Sequence, residues 1–223
     1  MKPYILFFLL SCFLAGSQTP VSKSIGEFSE LKVYDLINVE LIKSIENKIE
    51  ITGEDASNVL IIQKGDVLKI KMVLNKSFNG NNIFVKIFYT KIDIIDANEG
   101  AKVNSESLFK QYELQLRAQE GGKISVITDT KLLSVKAVTG GIINVSGTSE
   151  TQNVKIRTGG IYKGSLLQAQ NTELKIKAGG VADVSSSERI DVKIVAGGDL
   201  IIHSKPKIVN QVNIIGGRII YKD

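Results

Sequence analysis

The 223-residue chain is 43% hydrophobic, carries a formal charge of +5, and holds one cysteine, three prolines and no tryptophan. That length and apolar content suffice to bury a full core in one elongated domain, and so modest a positive balance singles out no class of partner. No stretch beyond the first residues approaches the roughly 20 consecutive apolar residues that a membrane-spanning helix needs, so no transmembrane span is expected.

The chain opens with MKPYILFFLLSCFLAGSQTP, in which one lysine precedes an apolar run from Tyr4 to Leu14 and the small residues Ala15-Gly16-Ser17. This pattern predicts a secretory signal peptide over residues 1–17, cut after Ser17, and an exported mature chain in the periplasm, on the outer-membrane surface or outside the cell. Removing Lys2, the one charged residue of that leader, takes the formal charge from +5 to +4. Cys12 leaves with it, so the mature protein has neither a disulfide nor a thiol, and its stability rests on packing and backbone pairing. An alternative reading takes Leu9-Leu10-Ser11-Cys12 as similar to a lipobox, with lipid anchoring at Cys12; the apolar residues that continue past Cys12 weigh against it.

Residues 18–223 read as a single domain. Residues 26–95 carry β-branched runs such as LKVYDLINVELIKS, NVLIIQKGDVLKIKMVLN and NIFVKIFYTKIDIIDANEG, broken by Asn, Gly and Asp, and predict irregular early coils or a β-rich cap. GEDASNVLI hints at a short helical turn, and NKSFNGNN, residues 75–82, reads as a mobile loop.

From residue 96 onward a period takes over. Glycine pairs stand at Gly121-Gly122, Gly140-Gly141, Gly159-Gly160, Gly179-Gly180, Gly197-Gly198 and Gly216-Gly217, spaced by 19, 19, 20, 18 and 19 residues, with Gly100-Ala101 as a degenerate earlier member. A fixed period near 20 is the mark of a solenoid, in which each repeat is one coil and neighbouring coils bury each other's apolar face. Two residues after the pairs come Ile124, Ile143, Tyr162, Ala182, Leu200 and Ile219, in alternation with polar residues. A second alternating run, such as Leu116 and Ala118 or Val135 and Ala137, leads into each pair. The expected architecture is therefore an all-β parallel solenoid of about 20 residues per coil. Gly-Gly pairs form its corners because glycine takes positive φ without a Cβ penalty, and polar segments such as TDTK, GTSETQ and SSSER supply the remaining turns.

The order FSELKVYDLINVELIKS, NVLIIQKGDVLKIKM, then GG-x-I-x-V coils closing with GGDLIIHSKPKIVNQVNIIGG resembles the putative autotransporter adhesin, head-GIN domain family of bacterial envelope proteins. The resemblance covers nearly the whole mature chain. It implies a parallel β-solenoid, export to the envelope and a role in adhesion, and it supplies no catalytic residues. Asp35-Leu36-Ile37-Asn38-Val39 replaces a glycine-containing segment expected early in that pattern, which leaves the first corner open.

Four residues before the first glycine of successive pairs stand Arg117, Lys136, Lys155, Lys175 and Lys193, and the series stops at Val212. Equivalent positions in adjacent coils lie about 4.8 Å apart, so these five residues predict a basic ladder roughly 20 Å long, widened by Arg157 and Lys177. Stacked like charges repel, and Glu173 and Asp191 are placed to offset part of the cost. The ladder reads either as a solvated face or as a track for a polyanion: an acidic glycan, lipopolysaccharide phosphate or an anionic lipid surface.

Competing chemistry finds little support. His203 is the single histidine, so no His-based metal site or Ser-His catalysis is predicted. Asp93, Asp96, Glu99 and Glu120 would have to converge for glycoside hydrolysis, yet coil spacings of 18 to 20 leave no room for the long insertions that build a cleft. Nucleic acid is not an expected partner, because no aromatic residues interleave with the basic ones. No cofactor is implied. The terminal GGRIIYKD predicts a last coil whose open strand edge suits pairing with another chain or a homodimer. The function expected is that of a non-enzymatic envelope or surface binding protein. The alternatives are a structural scaffold for another envelope protein and a polysaccharide-acting β-helix enzyme.

Overall fold

The computed structural model describes residues 21–212 and 215–222; the leader, its cleavage point and Cys12 lie outside them. Eight short strands come first: β1 (Val21–Ser24), β2 (Glu30–Val33), β3 (Asn38–Lys43), β4 (Lys48–Thr52), β5 (Val59–Lys64), β6 (Val67–Met72), β7 (Phe84–Tyr89) and β8 (Ile94–Ala97). Five long ones follow: β9 (Lys102–Gln119), β10 (Lys123–Val138), β11 (Ile142–Arg157), β12 (Ile161–Lys177) and β13 (Val181–Val195). Three short strands close the chain: β14 (Gly198–Ile202), β15 (Ile208–Val212) and β16 (Gly217–Tyr221). The protein is an all-β parallel solenoid of about 7 turns at a spacing of about 19 residues.

The long strands β9 to β13 stack in sequence order as parallel neighbours. Each half of β9 receives its own N-terminal series of strands. β3 pairs with its first half and leads out through β7 and β4 to β1. β8 pairs with its second half and leads through β2 and β6 to β5. The early segments thus contain parallel rungs, while β1, β4 and β5 join antiparallel. The predicted helical turn is a 3-10 turn at Ala56–Asn58. The segment 75–82 contains parts of two more such turns and is fastened to Asp35, whose carbonyl accepts the Gly80 amide at 3.0 Å.

The core follows from register. Inward side chains form continuous columns, such as Val39, Val103, Ile124, Ile143, Tyr162, Ala182 and Leu200. Another runs Leu31, Ile95, Leu116, Val135, Val154, Leu174 and Val192. Burying such columns stabilises the fold by about 25 cal/mol for each Å² of apolar surface removed from water.

Two expectations need correction. The polar segments TDTK, GTSETQ and SSSER are not turns between strands, for they lie inside the continuous strands β10, β11 and β13. The bend they mark is a slip in alternation: in β10 the buried positions run 124, 126, 128, 130 and resume at 133, 135, 137. A strand bends this way without losing its ladder, because the backbone groups stay paired to the coils on either side. Coils of unequal length are absorbed as bulges just upstream of the bend, between Ser125 and Ile127 and between Asn144 and Ser146, and across it between Gly164 and Asn171.

The second correction concerns the corners. At three corners the left-handed residues are the pair's first glycine and the residue before it: Glu120 (φ 53) with Gly121 (75), Thr139 (49) with Gly140 (71), Thr158 (49) with Gly159 (72); at Ala178-Gly179-Gly180 and Ala196-Gly197-Gly198 both glycines and the residue before them are left-handed. With the Gly122 amide donating to Gln119 O at 2.9 Å, Gly141 to Val138 O at 3.0 Å and Gly160 to Arg157 O at 3.1 Å, the first three are type I′ turns. Asp35 (φ 60) and Leu36 (φ 64) build the same turn without any glycine, closed by Ile37 N to Tyr34 O at 3.2 Å, so the first corner is present.

Candidate functional site: the basic ladder

Arg117, Lys136, Lys155, Lys175 and Lys193 pair in unbroken register from β9 to β13, each on the outward side of its strand, and Val212 of β15 follows Lys193. The column also continues the other way. Asp96 of β8 stands beside Arg117, then Lys32 of β2, then Lys69 of β6. That extension escaped the sequence reading because the early strands come from segments with no common period.

The two ends of the ladder differ electrostatically. At the N-terminal end Glu30 Oε1 takes both Arg117 Nη1 at 3.3 Å and Lys32 Nζ at 3.2 Å, and Lys69 lies over the Tyr34 ring at 5.4 Å. Asp96 is buried, and desolvation raises its carboxyl pKa above the usual value, opposed by the Asn98 amide, Lys32 and Arg117. From Lys136 onward the compensation stops: among the described residues Lys136, Lys155, Lys175 and Lys193 enter no ion pair.

The two acids expected to shield this half do not pair with it. Asp191 accepts from Arg189 Nε at 2.6 Å and from Asn210 Nδ2 at 2.7 Å, and those two bonds hold its carboxyl below the usual range. Glu173 also forms no ion pair among the described residues. Arg157 and Lys177 fall in register with each other beside the ladder, as predicted. The consequence is read at Lys175, whose ammonium is pushed below the usual lysine value by Lys177 first, then by partial desolvation, then by Lys193, Arg157 and Lys155. A shallow groove of about 440 Å³ follows this half, with Asn153, Lys155, Glu173, Lys175, Asp191 and Lys193 in its walls.

The remaining candidates fall elsewhere. His203 Nε2 lies 2.9 Å from Asp183 Oδ1 on the preceding coil. Asp93 pairs with Lys91 at 2.8 Å, whereas Glu99 and Glu120, on successive corners, come together with Asp96 around Tyr34, whose phenol pKa is raised by desolvation first and then by these carboxylates; the Glu99 carboxyl is itself raised by desolvation, then by Asp35 and Glu120. The twelve glycines of the six pairs, from Gly121 to Gly217, all lie at or against corners.

The fold is thus that of a repeat protein, a parallel β-solenoid with a basic row that enters no ion pair from Lys136 to Lys193 among the described residues. Its sequence matches the family described as "Putative auto-transporter adhesin, head GIN domain" over residues 27–206, and the chain belongs to that family. The fold is similar to the crystal structure of a putative adhesin from Bacteroides fragilis, with TM-score 0.82 and 18% identity, covering 92% of this chain and 98% of that one. A putative adhesin from Parabacteroides merdae gives TM-score 0.71 at 19% identity over 94% and 98% of the two chains. A putative lipid binding protein from Parabacteroides distasonis gives 0.68 at 17% over 92% and 97%. No protein of curated function matches the sequence. Among the described residues no helix is long and apolar enough to cross a membrane.

Proposed function

We propose that the protein is an exported, non-enzymatic, adhesin-like envelope protein that holds a polyanion along the ladder from Lys136 to Lys193. In this reading residues 1–17 are a signal peptide and 18–223 one solenoid domain. The observation that carries it is the set of four lysines in register with no acidic partner, crowded enough to lower the Lys175 pKa. Such a row is a standing electrostatic cost that a chain of phosphates or carboxylates relieves, and the similar folds named as adhesins and as a lipid binding protein fit a binding role. The chemistry recognised is a repeating anion, whether on an acidic glycan, lipopolysaccharide or an anionic lipid surface.

The test is binding of residues 18–223 to heparin, lipopolysaccharide and phosphatidylglycerol vesicles over a range of salt, beside a variant carrying Lys136→Glu, Lys155→Glu and Lys175→Glu. Binding that weakens steeply with salt and disappears in the folded variant supports the ladder, and the probe that binds names the ligand class. Absence of binding by the folded wild type overturns it.

A second reading, a scaffold or homodimer formed through the last rungs, draws on the exposed Ile208 and Val212 of β15 and Tyr221 of β16. Among the described residues β16 pairs only with β14, and β15 only with β13, so both leave an open edge. Sedimentation velocity that shows only monomer at high concentration removes it.

A further inference from the structure

A larger concave surface lies at the mid-strand bend, five residues upstream of the ladder on the central coils. It encloses about 1100 Å³ and takes three consecutive residues from each long strand, 110–112, 129–131, 148–150, 168–170 and 185–187, together with 204–205. The middle residue of most triplets points inward: Thr130, Ser149, Ala169 and Ser186 are buried. The outer two form the walls of a trough that runs across the coils for about 24 Å, at about 4.8 Å per rung.

The walls carry polar side chains, and the charges toward the Lys110 end are matched. Lys110 pairs with Asp129 at 3.4 Å, Asp129 also accepts from Thr148 Oγ1 at 3.1 Å, and Lys131 pairs with Glu150. Further along, the walls carry no charge until Lys205 at the far end, which has a partner of its own, and Gln168, Gln170, Ser185 and Ser187 have no side-chain hydrogen-bond partner among the described residues. At one end Tyr112 stands 74% exposed. Beside the trough one outward column holds Leu108, Ile127, Ser146 and Leu166, and its three apolar members are exposed. The bulges in β9 and β12 hold its two leucines out, and Leu166 is 76% exposed.

The geometry points to this trough as a binding site for an extended, uncharged glycan, distinct from the ladder and independent of the reading given to it. Matched charges give a polyanion little to gain here, unlike on the lysine face. An acyl chain would take water from Gln168, Gln170, Ser185 and Ser187 and offer them no hydrogen bond in return. Strand addition by a peptide is closed, since the backbone groups of these coils are committed to the parallel ladders on either side. A sugar chain suits what remains: its hydroxyls both donate and accept, as free carboxamides and serines require, and its apolar ring faces lie on tyrosine and leucine. The rise of one coil is close to that of one residue in an extended β-linked chain.

The experiment is an NMR titration of residues 18–223 with cellohexaose, xylohexaose and mannohexaose. It is repeated on Tyr112→Ala, on the double variant Gln168→Ala/Gln170→Ala, and on the ladder variant described above. The proposal expects shifts confined to residues 110–112, 129–131, 148–150 and 168–170, insensitive to salt and retained in the ladder variant. Each trough variant is expected to weaken binding about tenfold or more while keeping a native spectrum. Three results overturn it: no shifts with any of the three oligosaccharides, shifts located elsewhere, or binding unchanged in both trough variants. Failure of the ladder variant to bind polyanions bears only on the ladder.

Discussion

A Cβ on Gly122 would stand 2.1 Å from the carbonyl oxygen of Ala97, one coil away. Gly121, its partner in the pair, has φ 75 and only the Gly100 Cα near its side-chain position, at 3.9 Å. The two glycines therefore answer different demands, the first a left-handed backbone and the second a close approach between coils. Gly121→Ala is expected to cost about 1 to 2 kcal/mol, the price of a left-handed L-residue. Gly122→Ala forces backbone apart and is expected to cost about 3 kcal/mol or more. Urea unfolding midpoints compare them, and equal losses would refute the division of roles.

Asp35 shows how a corner forms without glycine. Its carboxylate accepts the Met72 amide at 3.0 Å and the Phe78 amide at 3.1 Å, and the residue is 4% exposed. Aspartate tolerates the left-handed region better than most residues, and these two bonds hold it there while tying the segment 75–82 to the corner. Asp35→Ala strands both amides and is expected to cost about 3 kcal/mol, with Asp35→Asn intermediate because one acceptor oxygen remains. Hydrogen exchange gives the sharper reading: in Asp35→Ala the amides of Met72 and Phe78 should lose protection together. Protection retained at both would show that the carboxylate does not anchor the loop.

What was legible in the sequence was what repeats. Gly121-Gly122 and its successors carry the coil, and once the coil is known the column from Arg117 to Lys193 follows by counting. Lys32 and Lys69 extend that column but arrive from short strands whose register is set by tertiary pairing alone. Asp35-Leu36 was hidden because the turn was recognised by its glycine rather than by its φ. The trough was hidden because Thr, Ser and Asp runs resemble turns, whereas in a stacked coil the neighbouring strands satisfy the backbone and the same residues stay extended.

Tyr162 carries a polar chain through the core. Its hydroxyl donates to Gln152 Oε1 at 2.7 Å, Gln152 Nε2 donates to Thr172 Oγ1 at 2.8 Å, and Thr172 is bonded to Ser186. Burial pushes the Tyr162 phenol far above its usual value, and Tyr89 up to about 12. A raised acid pKa contributes stability that is complete below the unfolded value, about 10, and is lost as pH rises past it. Tyr162→Phe should therefore cost about 1 to 2 kcal/mol at neutral pH, by leaving Gln152 Oε1 without its donor, yet lose less than wild type on moving to alkaline pH. Parallel pH dependences would rule out Tyr162 as the group that governs alkaline unfolding.

Lys175 links the ladder's electrostatics to its use. Its folded pKa lies below the ordinary lysine value, with Lys177 the first cause, so the folded state disfavours its proton. The penalty is complete at neutral pH and is relieved as pH rises through the folded pKa toward the unfolded one, or as salt screens the neighbours. A depressed pKa also means more free amine at mildly alkaline pH. Lys175 should thus be acylated ahead of the other surface lysines under limiting reagent in low salt, as read by peptide mass mapping. Lys177→Gln should slow that labelling, and so should added salt or saturating heparin. Labelling of Lys175 at the pace of the other lysines, unmoved by Lys177→Gln, would show that the row is screened by solvent and carries no field for a polyanion to answer.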